Sequence, residues 1–452
     1  MAEGLHGREK LVFLETFGCQ MNENDSERML GLLKGLSYTR TKDPSDADLI
    51  IINTCSIRDK AEQKVYSILG RFKSLKKERP WLVIVVAGCV AQQEGEKLLK
   101  RAPHLDIVFG PHNVHKLKEL LLQADSGRKV VVTEQTGEIS PEEYGIEPVE
   151  LEEKAFVSIM RGCNNFCSYC IVPYTRGREV SRKSADILSE IEGLVEKGIK
   201  EVTLLGQNVN SYGTGGGGDD MSFPELLRKV CRVEGLSRVR FITSHPKDIS
   251  DELIRLFGEE PRLCRHVHLP VQSGSDGVLA AMGRGYSVEY YLSKVWLLKK
   301  LYPEMAITTD IIVGFPGESE ADYEATMSLL RTVRFDNIFS FMYSPRPGTT
   351  AAGLPDQIPL EVRSERLQRL QEEQKEITNE RMRGLLGRTL DVLVEGESKI
   401  DASELSGRTS CNRIVNFPAP VWLQAGPGCL IEVTITEAYQ NSLRGEVRAA
   451  GC

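Results

Sequence analysis

Three cysteines in the run RGCNNFCSYCIVPYTRGREVSR, namely Cys163, Cys167 and Cys170, are spaced closely enough to grip one small inorganic centre. A structural zinc site is closed by four protein ligands, whereas an iron–sulfur cube held by three cysteines leaves one iron open. With no fourth ligand nearby, the spacing predicts a 4Fe–4S centre with a free coordination position, where a bound molecule can be reduced. A second set is spread along the chain. Cys19, Cys55 and Cys89 lie in FGCQMN, NTCSIR and AGCVAQ, each directly after an apolar run that reads as a strand. One cysteine at such a place is a small core residue by default. Three at matching strand ends, each followed by polar residues, predict a second three-thiolate centre with an open iron able to hold an exogenous sulfur species. Cys231, Cys264, Cys411, Cys429 and Cys452 show no grouping and are read as small buried residues or a terminal thiol. His245, His266 and His268 lie beside predicted strands, where satisfied structural histidines are expected more than ligands.

The elements that must position these residues follow from periodicity. LVFLETFGC, ADLIIINTC, WLVIVVAGC and LDIVFG read as short buried strands, separated by amphipathic stretches such as DSERMLGLLKGL and RDKAEQKVYSILGRFKSLKKE. Strand alternating with helix predicts a parallel, doubly wound sheet, and ligands collect beyond the carboxyl ends of such strands. Equivalent ends lie on one edge, so the three distant thiols are expected to converge. Residues 134–153 are acidic and apolar-poor, broken by Pro141 and Pro148, and read as a connector. Alternation then resumes with AFVSIM, EVTLLG, RVRFIT, HVHLPV, AITTDIIVGF and NIFSFMY, which fits a partial (β/α) barrel. The glycine-rich run at 213–220 reads as a flexible surface loop, and 360–386 as a long charged helix. TLDVLVEG, RIVNFP, CLIEVTITEAY and SLRGEVR suggest a small five-stranded all-β barrel. The expected domains are 10–133, 154–384 and 385–450, with 134–153 linking the first two.

Composition narrows the setting. Of 452 residues, 41% are apolar and 27% charged, and no apolar run approaches the length of a membrane span. The amino terminus, MAEGLHGREK, lacks the apolar core of a secretory signal, so a cytoplasmic location with no membrane partner is expected. In a reducing compartment, eleven cysteines point to metal ligands or catalytic thiols, not to a disulfide framework. The net charge of -7 argues against loose nucleic-acid binding over a broad basic surface, leaving room only for a local patch.

The CxxxCxxC spacing after the first strand of a βα barrel resembles the radical S-adenosylmethionine (SAM) superfamily. From about residue 10 to 450 the chain resembles the methylthiotransferases, which carry a three-cysteine domain, a radical SAM domain and a TRAM domain in that order. TFGCQMNENDSERM, RGCNNFCSYCIVPYTRGREVSR and LLGQNVNSYG look like the branch acting on isopentenyladenosine beside the tRNA anticodon. The resemblance implies two 4Fe–4S clusters, one on Cys19, Cys55 and Cys89, the other on Cys163, Cys167 and Cys170. It implies that SAM methylates a cluster-bound sulfur, and that a second SAM yields the 5′-deoxyadenosyl radical that opens the C2–H bond of adenine. It places Tyr169 near the SAM adenine, Gln207 and Asn208 at its amino group, and Ser244, Gln272 and Ser273 at ribose or carboxylate. Ile312 and Gly314 match the stretch that packs against adenine. RNA contact is expected from Arg161, Arg176, Arg178, Arg182 and Lys183 around the cluster loop, and from Arg388, Arg408 and Arg413 in the terminal barrel. The implied partners are a tRNA anticodon stem-loop, a reductant such as flavodoxin and a sulfur donor, with the protein a monomer. Neighbouring readings are methylthiolation of threonylcarbamoyladenosine or of a ribosomal-protein aspartate, and, in another class, a non-catalytic metal-binding RNA adaptor.

Overall fold

The structure, a computed structural model, describes residues 9–56, 61–139, 143–144, 153–419 and 426–451. The amino-terminal unit runs β1 (Lys10–Thr16), α1 (Gln20–Lys34), β2 (Tyr38–Arg40), β3 (Leu49–Thr54), α2 (Ala61–Glu78) and β4 (Val83–Gly88). It continues through α3 (Cys89–Glu94), α4 (Glu96–Arg101), β5 (Ile107–Phe109), α5 (Leu117–Asp125) and β6 (Val130–Val132). Its six strands are all parallel, in the order β2-β1-β3-β4-β5-β6. One apolar layer joins Met29 and Leu33 of α1 to Leu117 and Leu120 of α5; the other joins Ile68 and Phe72 of α2 to Leu98 of α4. Helices on both faces explain why every residue of β3 is buried, and why that strand reads as an unbroken apolar run. The edge strands β2 and β6 were not expected, being three residues each and too short to carry a pattern. Trp81, expected to open a strand, is 60% exposed, and β4 starts two residues later. The strand order reverses between β1 and β3, and Cys19 and Cys55 follow those two strands. That is the topological switch point, where an open α/β sheet splits to admit ligands.

The middle unit contains β7 (Lys154–Ser158), β8 (Met160–Arg161), α6 (Val172–Thr175), β9 (Val180–Ser181), α7 (Ser184–Glu196), β10 (Glu201–Leu205), α8 (Phe223–Cys231) and β11 (Arg238–Phe241). After these come α9 (Asp251–Glu259), β12 (His266–His268), α10 (Asp276–Ala281), α11 (Val288–Leu301), β13 (Ala306–Val313), α12 (Glu320–Val333), β14 (Asn337–Met342) and α13 (Leu360–Arg383). Two parallel three-stranded sheets, β7-β10-β11 and β12-β13-β14, are linked by a parallel bridge from Val239 to Leu263. The result is an open barrel whose outer face packs on the helices through Ile187, Leu227, Ile254, Val295 and Leu330. The glycine-rich run is no free loop. Gly216 O accepts from Ser181 N (3.0 Å), and Thr214 and Asp219 bond Glu179 and Ser184, which ties the run to β9.

The carboxy-terminal unit is a closed barrel of β15 (Thr389–Glu397), β16 (Glu404–Thr409), β17 (Ile414–Pro418), β18 (Leu430–Ala438) and β19 (Leu443–Gly451), ordered β15-β16-β17-β19-β18. It is sealed against the middle unit by two buried arginines. Arg238 donates to Arg408 O (2.6 Å) and Asp391 O (2.9 Å), and Arg240 to Ser410 O (2.8 Å) and Thr409 O (2.7 Å), while Glu201 Oε1 holds Arg240 Nε at 2.7 Å. Among the described residues no helix is long and apolar enough to cross a membrane. Cys429, read among the ungrouped cysteines as a small buried residue or a terminal thiol, is disulfide-bonded.

Candidate active site

The first triad is assembled by strand ends and a polar ladder beneath them. Cys19 caps the amino terminus of α1, Cys55 follows β3, and Cys89 opens α3 directly after β4. Below them Asn22 Nδ2 donates to Asn53 Oδ1 (3.2 Å) and Thr54 O (3.1 Å), Asn53 Nδ2 to Asn22 O (2.8 Å), and Thr54 Oγ1 to Ala87 O (2.6 Å). These buried amides lock the three strand ends together. Gly88, at φ +90°, is what lets β4 turn into Cys89, since a Cβ there would sit 2.4 Å from Asn53 Oδ1. A hydrogen bond with Cys55 lowers Cys19 to about 6 against its burial, helped by Arg176 and the helix-terminal N–H groups of Asn22 and Met21. Burial pushes the Cys89 thiol up, and Arg176 opposes it.

The second triad lies on the loop after β8. Gly162 N donates to Gln207 Oε1, Cys163 N to Gly177 O (3.2 Å), and Cys170 N to Cys167 O (2.9 Å). Ser168 is held from the other side by Met282 O (2.9 Å) and Ala281 O (2.8 Å). Burial raises Cys163, and burial with the neighbouring Cys167 raises Cys170 to about 12. Arg284, which the sequence did not single out, is buried against this loop. Its Nη1 reaches Cys167 Sγ and Tyr169 Oη, both at 3.3 Å, and its Nη2 donates to Pro270 O (2.8 Å). The only local sign of it is its position between two glycines, of which Gly283 lies against the backbone of Cys167 and Ser168.

Arg176 connects the triads. It lies six residues after Cys170, fully buried, with Nη2 2.9 Å from Asp25 Oδ2 of α1 and a hydrogen bond to Cys89. Helix α3, which begins at Cys89, packs on α6, which follows Cys170, and the guanidinium lies against Cys89 and Cys19. A cation so deeply buried needs anions around it, and Asp25 with the sulfurs supplies them. Each triad thus pairs buried sulfur with an arginine donor, a set suited to thiolate ligands of a cluster. Among the described residues no three His, Cys, Asp or Glu side chains close on a single ion. A cube takes its thiolates at separate corners.

Several expected cofactor residues meet at the carboxyl ends of the barrel strands. Tyr169 and Ile312 pack on one apolar cluster with Met282, Phe315 and Tyr343. Gln207 is tied to the cluster loop, and Ser244 presents a buried hydroxyl with no protein partner, the kind of donor a bound cofactor can satisfy. Gln272 takes a left-handed φ of 76° and bridges to Ile311, while Gly314 N donates to Glu318 (2.7 Å). Asn208 is committed internally, with Nδ2 to Asp248 (2.7 Å) and Oδ1 accepting from His245 N (3.0 Å). Ser273 lies deeper. It is fully buried, shares a hydrogen bond with Thr326 of α12 (3.3 Å) and accepts from Ser275 N (3.2 Å). His266 and His268 both bond Thr308, as structural histidines do.

The basic patch expected near the cluster loop is mostly internal, because Arg161, Arg176 and Arg182 each meet a carboxylate. Arg161 pairs with Glu143 of the connector and bonds Thr136 Oγ1 (2.8 Å). Arg182 pairs with Glu190 (2.6 Å) and stacks on Tyr144, whose other neighbour is Arg28. With Arg176 also buried, only Arg178, stacked on Phe166 at 4.5 Å, and Lys183 remain exposed. The acidic connector is therefore docked at Glu143 and Tyr144, while residues 140–142 and 145–152 lie outside the described residues. Arg388 and Arg413 pair with Glu304 and Asp336 across the domain seam, and Arg408 pairs with Glu395 (3.1 Å).

Three family models match successive stretches of the chain. Residues 11–110 match the uncharacterized protein family UPF0004, residues 157–330 the radical SAM superfamily, and residues 383–447 the TRAM domain. A protein of Geotalea uraniireducens named tRNA-2-methylthio-N(6)-dimethylallyladenosine synthase is 53% identical over 97% of this chain and 99% of its own. Its namesakes from Geobacter metallireducens and Burkholderia thailandensis are 54% and 48% identical, each over 97% of this chain and covering 98% and 97% of theirs. Among solved structures, the radical SAM methyltransferase TsrM from Kitasatospora setae matches with TM-score 0.56 at 15% identity, over 76% of this chain and 75% of that one. At that identity the likeness concerns the fold.

Proposed function

The chain belongs to the family of tRNA-2-methylthio-N(6)-dimethylallyladenosine synthases, and on that footing we propose how its two cysteine triads divide one reaction. It is a radical SAM tRNA methylthiotransferase, which replaces the C2 hydrogen of N6-dimethylallyladenosine in tRNA with a methylthio group. SAM and a 4Fe–4S cluster belong to that chemistry. In our reading Cys163, Cys167 and Cys170 hold the SAM-binding cluster, and Cys19, Cys55 and Cys89 hold an auxiliary cluster. When bound, these groups supply the electron, the radical, the methyl group and the sulfur. The protein's own part is placement. Arg284 donates to Cys167 and orients Tyr169, Gln207 fixes the start of the cluster loop, and the Ser244 hydroxyl is a free donor for SAM. Asn22, Asn53 and Thr54 hold the auxiliary thiols in register and leave little room for water beneath them.

The observation that carries this reading is Arg176, which follows Cys170 by six residues and whose buried guanidinium lies against Asp25, Cys89 and Cys19 of the other triad. A residue six positions beyond Cys170 thus reaches into the other triad, which supports one shared site, as a reaction needs when hydrogen removal and sulfur delivery must meet at a single carbon. We assign the domains to 10–133, 154–384 and 385–450 with 134–153 between them. The target adenosine is the one beside the anticodon, with a flavodoxin-like reductant, a sulfur donor and a monomeric enzyme in the cytoplasm. The base must leave its stack to reach the strand ends, which is easier in a loop than in a duplex.

The test is anaerobic turnover of reconstituted protein with SAM, reductant and two anticodon stem-loops, one bearing dimethylallyladenosine and the other threonylcarbamoyladenosine. Mass analysis should show a methylthio gain on the first alone, lost when Cys19, Cys55 or Cys89 becomes Ala. Gain in those variants would overturn the auxiliary-cluster assignment, and gain only on the second RNA would overturn the substrate.

A further inference from the structure

The inner face of the open barrel carries an apolar strip that the cysteine loops do not use. In β14, Ile338 and Met342 pack toward the core, and Ser340 meets Gln371 of α13 (3.2 Å). Phe339 and Phe341 emerge on the opposite face and are 51% and 45% exposed. The parallel register sets Phe339 beside Asp310 and Phe341 beside Ile312 of β13. Side chains at paired positions share a face of the sheet, so these four residues line the interior of the barrel. The Phe339 ring stands edge-on to His268 at 5.8 Å, and His268 Nε2 lies 3.3 Å from Asp310 Oδ1. Two open phenylalanines at i and i+2 are the informative kind of exposed residue, because solvent gains nothing from them and the core does not need them.

The position of the strip identifies what covers it. It starts at Ile312, which packs with Tyr169 between Cys167 and Cys170. At the other end, where the strands begin, the turn at Ser410 docks on Arg240 and on Arg265 N (2.9 Å) and closes the interior. A base held there presents C2 toward the cluster loop. Its N6 substituent, across N1 from C2, then runs away from the loop along the strip. We infer that Phe339 and Phe341 receive the dimethylallyl group of the substrate adenosine, with the His268–Asp310 pair at the polar margin of that pocket. The inference rests on the family's substrate, and it makes this strip the element that separates prenylated from plain adenosine. Apolar pockets discriminate through such contacts by about tenfold or more.

Binding to the reconstituted enzyme would be measured with two fluorescent anticodon stem-loops, identical but for dimethylallyladenosine against plain adenosine. The unaltered enzyme should prefer the prenylated RNA by about tenfold or more. In Phe339→Ala and Phe341→Ala the preference should collapse to the affinity for the plain RNA, while Phe339→Leu, which keeps apolar bulk, should retain most of it. Both rings are half exposed, so truncation spares the core. A preference that survives in the double alanine variant would overturn the inference, as would equal weakening on both RNAs. Failure of the unaltered enzyme to modify the prenylated RNA at all would instead overturn the substrate on which the inference stands, and a mass readout on the same samples separates the two cases.

Discussion

At the residue scale, the site is organised by buried charge more than by the cysteines alone. Arg176, Arg284 and Arg161 are all sequestered, and each is satisfied by partners far along the chain, at separations such as 151 residues for Asp25 and 117 for Cys167. Beside them sits His112, buried in the same interdomain cavity as Asp25, Arg28 and Glu143. Burial and then the Arg161 charge hold it down to about 4, and burial with Arg240 holds His266 to about 3, against an ordinary 6.5. Between pH 6.5 and about 4 the unfolded chain takes up protons that the folded chain refuses. Stability therefore falls as pH drops through that window, by up to ~1.4 kcal/mol per unit for each histidine, and levels off below the folded values. Urea midpoints taken across this range should fall steeply for the native chain and less steeply for His112→Gln. An unchanged slope in that variant would refute the role of this histidine. The triad cysteines were legible because three of one rare type stood close together or at repeated strand ends. Arg284 was not, since an arginine between two glycines is ordinary in a surface turn and its burial depends on a loop 117 residues away.

At the element scale, the cluster loop depends on one backbone approach. Gly162 precedes Cys163 at φ +73°, and a Cβ there would lie 2.0 Å from Arg178 O. The clash is with main chain, which cannot swing aside as a side chain can. On the proposed two-cluster assignment, Gly162→Ala should therefore displace Cys163 and release the cluster of this loop while the amino-terminal triad keeps its own. Iron per reconstituted protein should fall by roughly half, one of two four-iron centres being lost, with SAM cleavage abolished. Full iron content in the variant would show that the loop tolerates the shift. Elements were readable in proportion to their length and burial. β3 and β4 stand out as apolar runs, and α13 as a long charged helix ending at Arg383. β16, with the sequence ELSGRT, went unrecognised because alternating small and polar residues at a barrel rim resemble a loop.

At the scale of the whole molecule, the carboxy-terminal barrel is fastened to the catalytic barrel through Arg238, Arg240 and the Asp336–Arg413 pair. Replacing Arg240 with Met leaves Glu201 buried without its partner and two carbonyls without a donor. Breaking a buried pair in this way costs ~3–5 kcal/mol. The variant should melt at lower temperature, and its terminal barrel should become cleavable by protease near residues 384–388 before the rest unfolds. A single unchanged melting transition would show that the seam is not held by this arginine. What the chain declared on its own was the chemistry and the architecture: cysteine spacing is local, and strand–helix alternation repeats often enough to be read through noise. Which arginines are exposed and which are internal counter-ions was decided only by folding. A guanidinium looks the same in sequence whether it meets water or, like Arg161, Arg176 and Arg182, a carboxylate brought from another part of the chain. The strip of Phe339 and Phe341 was hidden for the same reason, since alternation along β14 marks two faces but only the closed fold shows that α13 covers one of them and leaves the other open to the site.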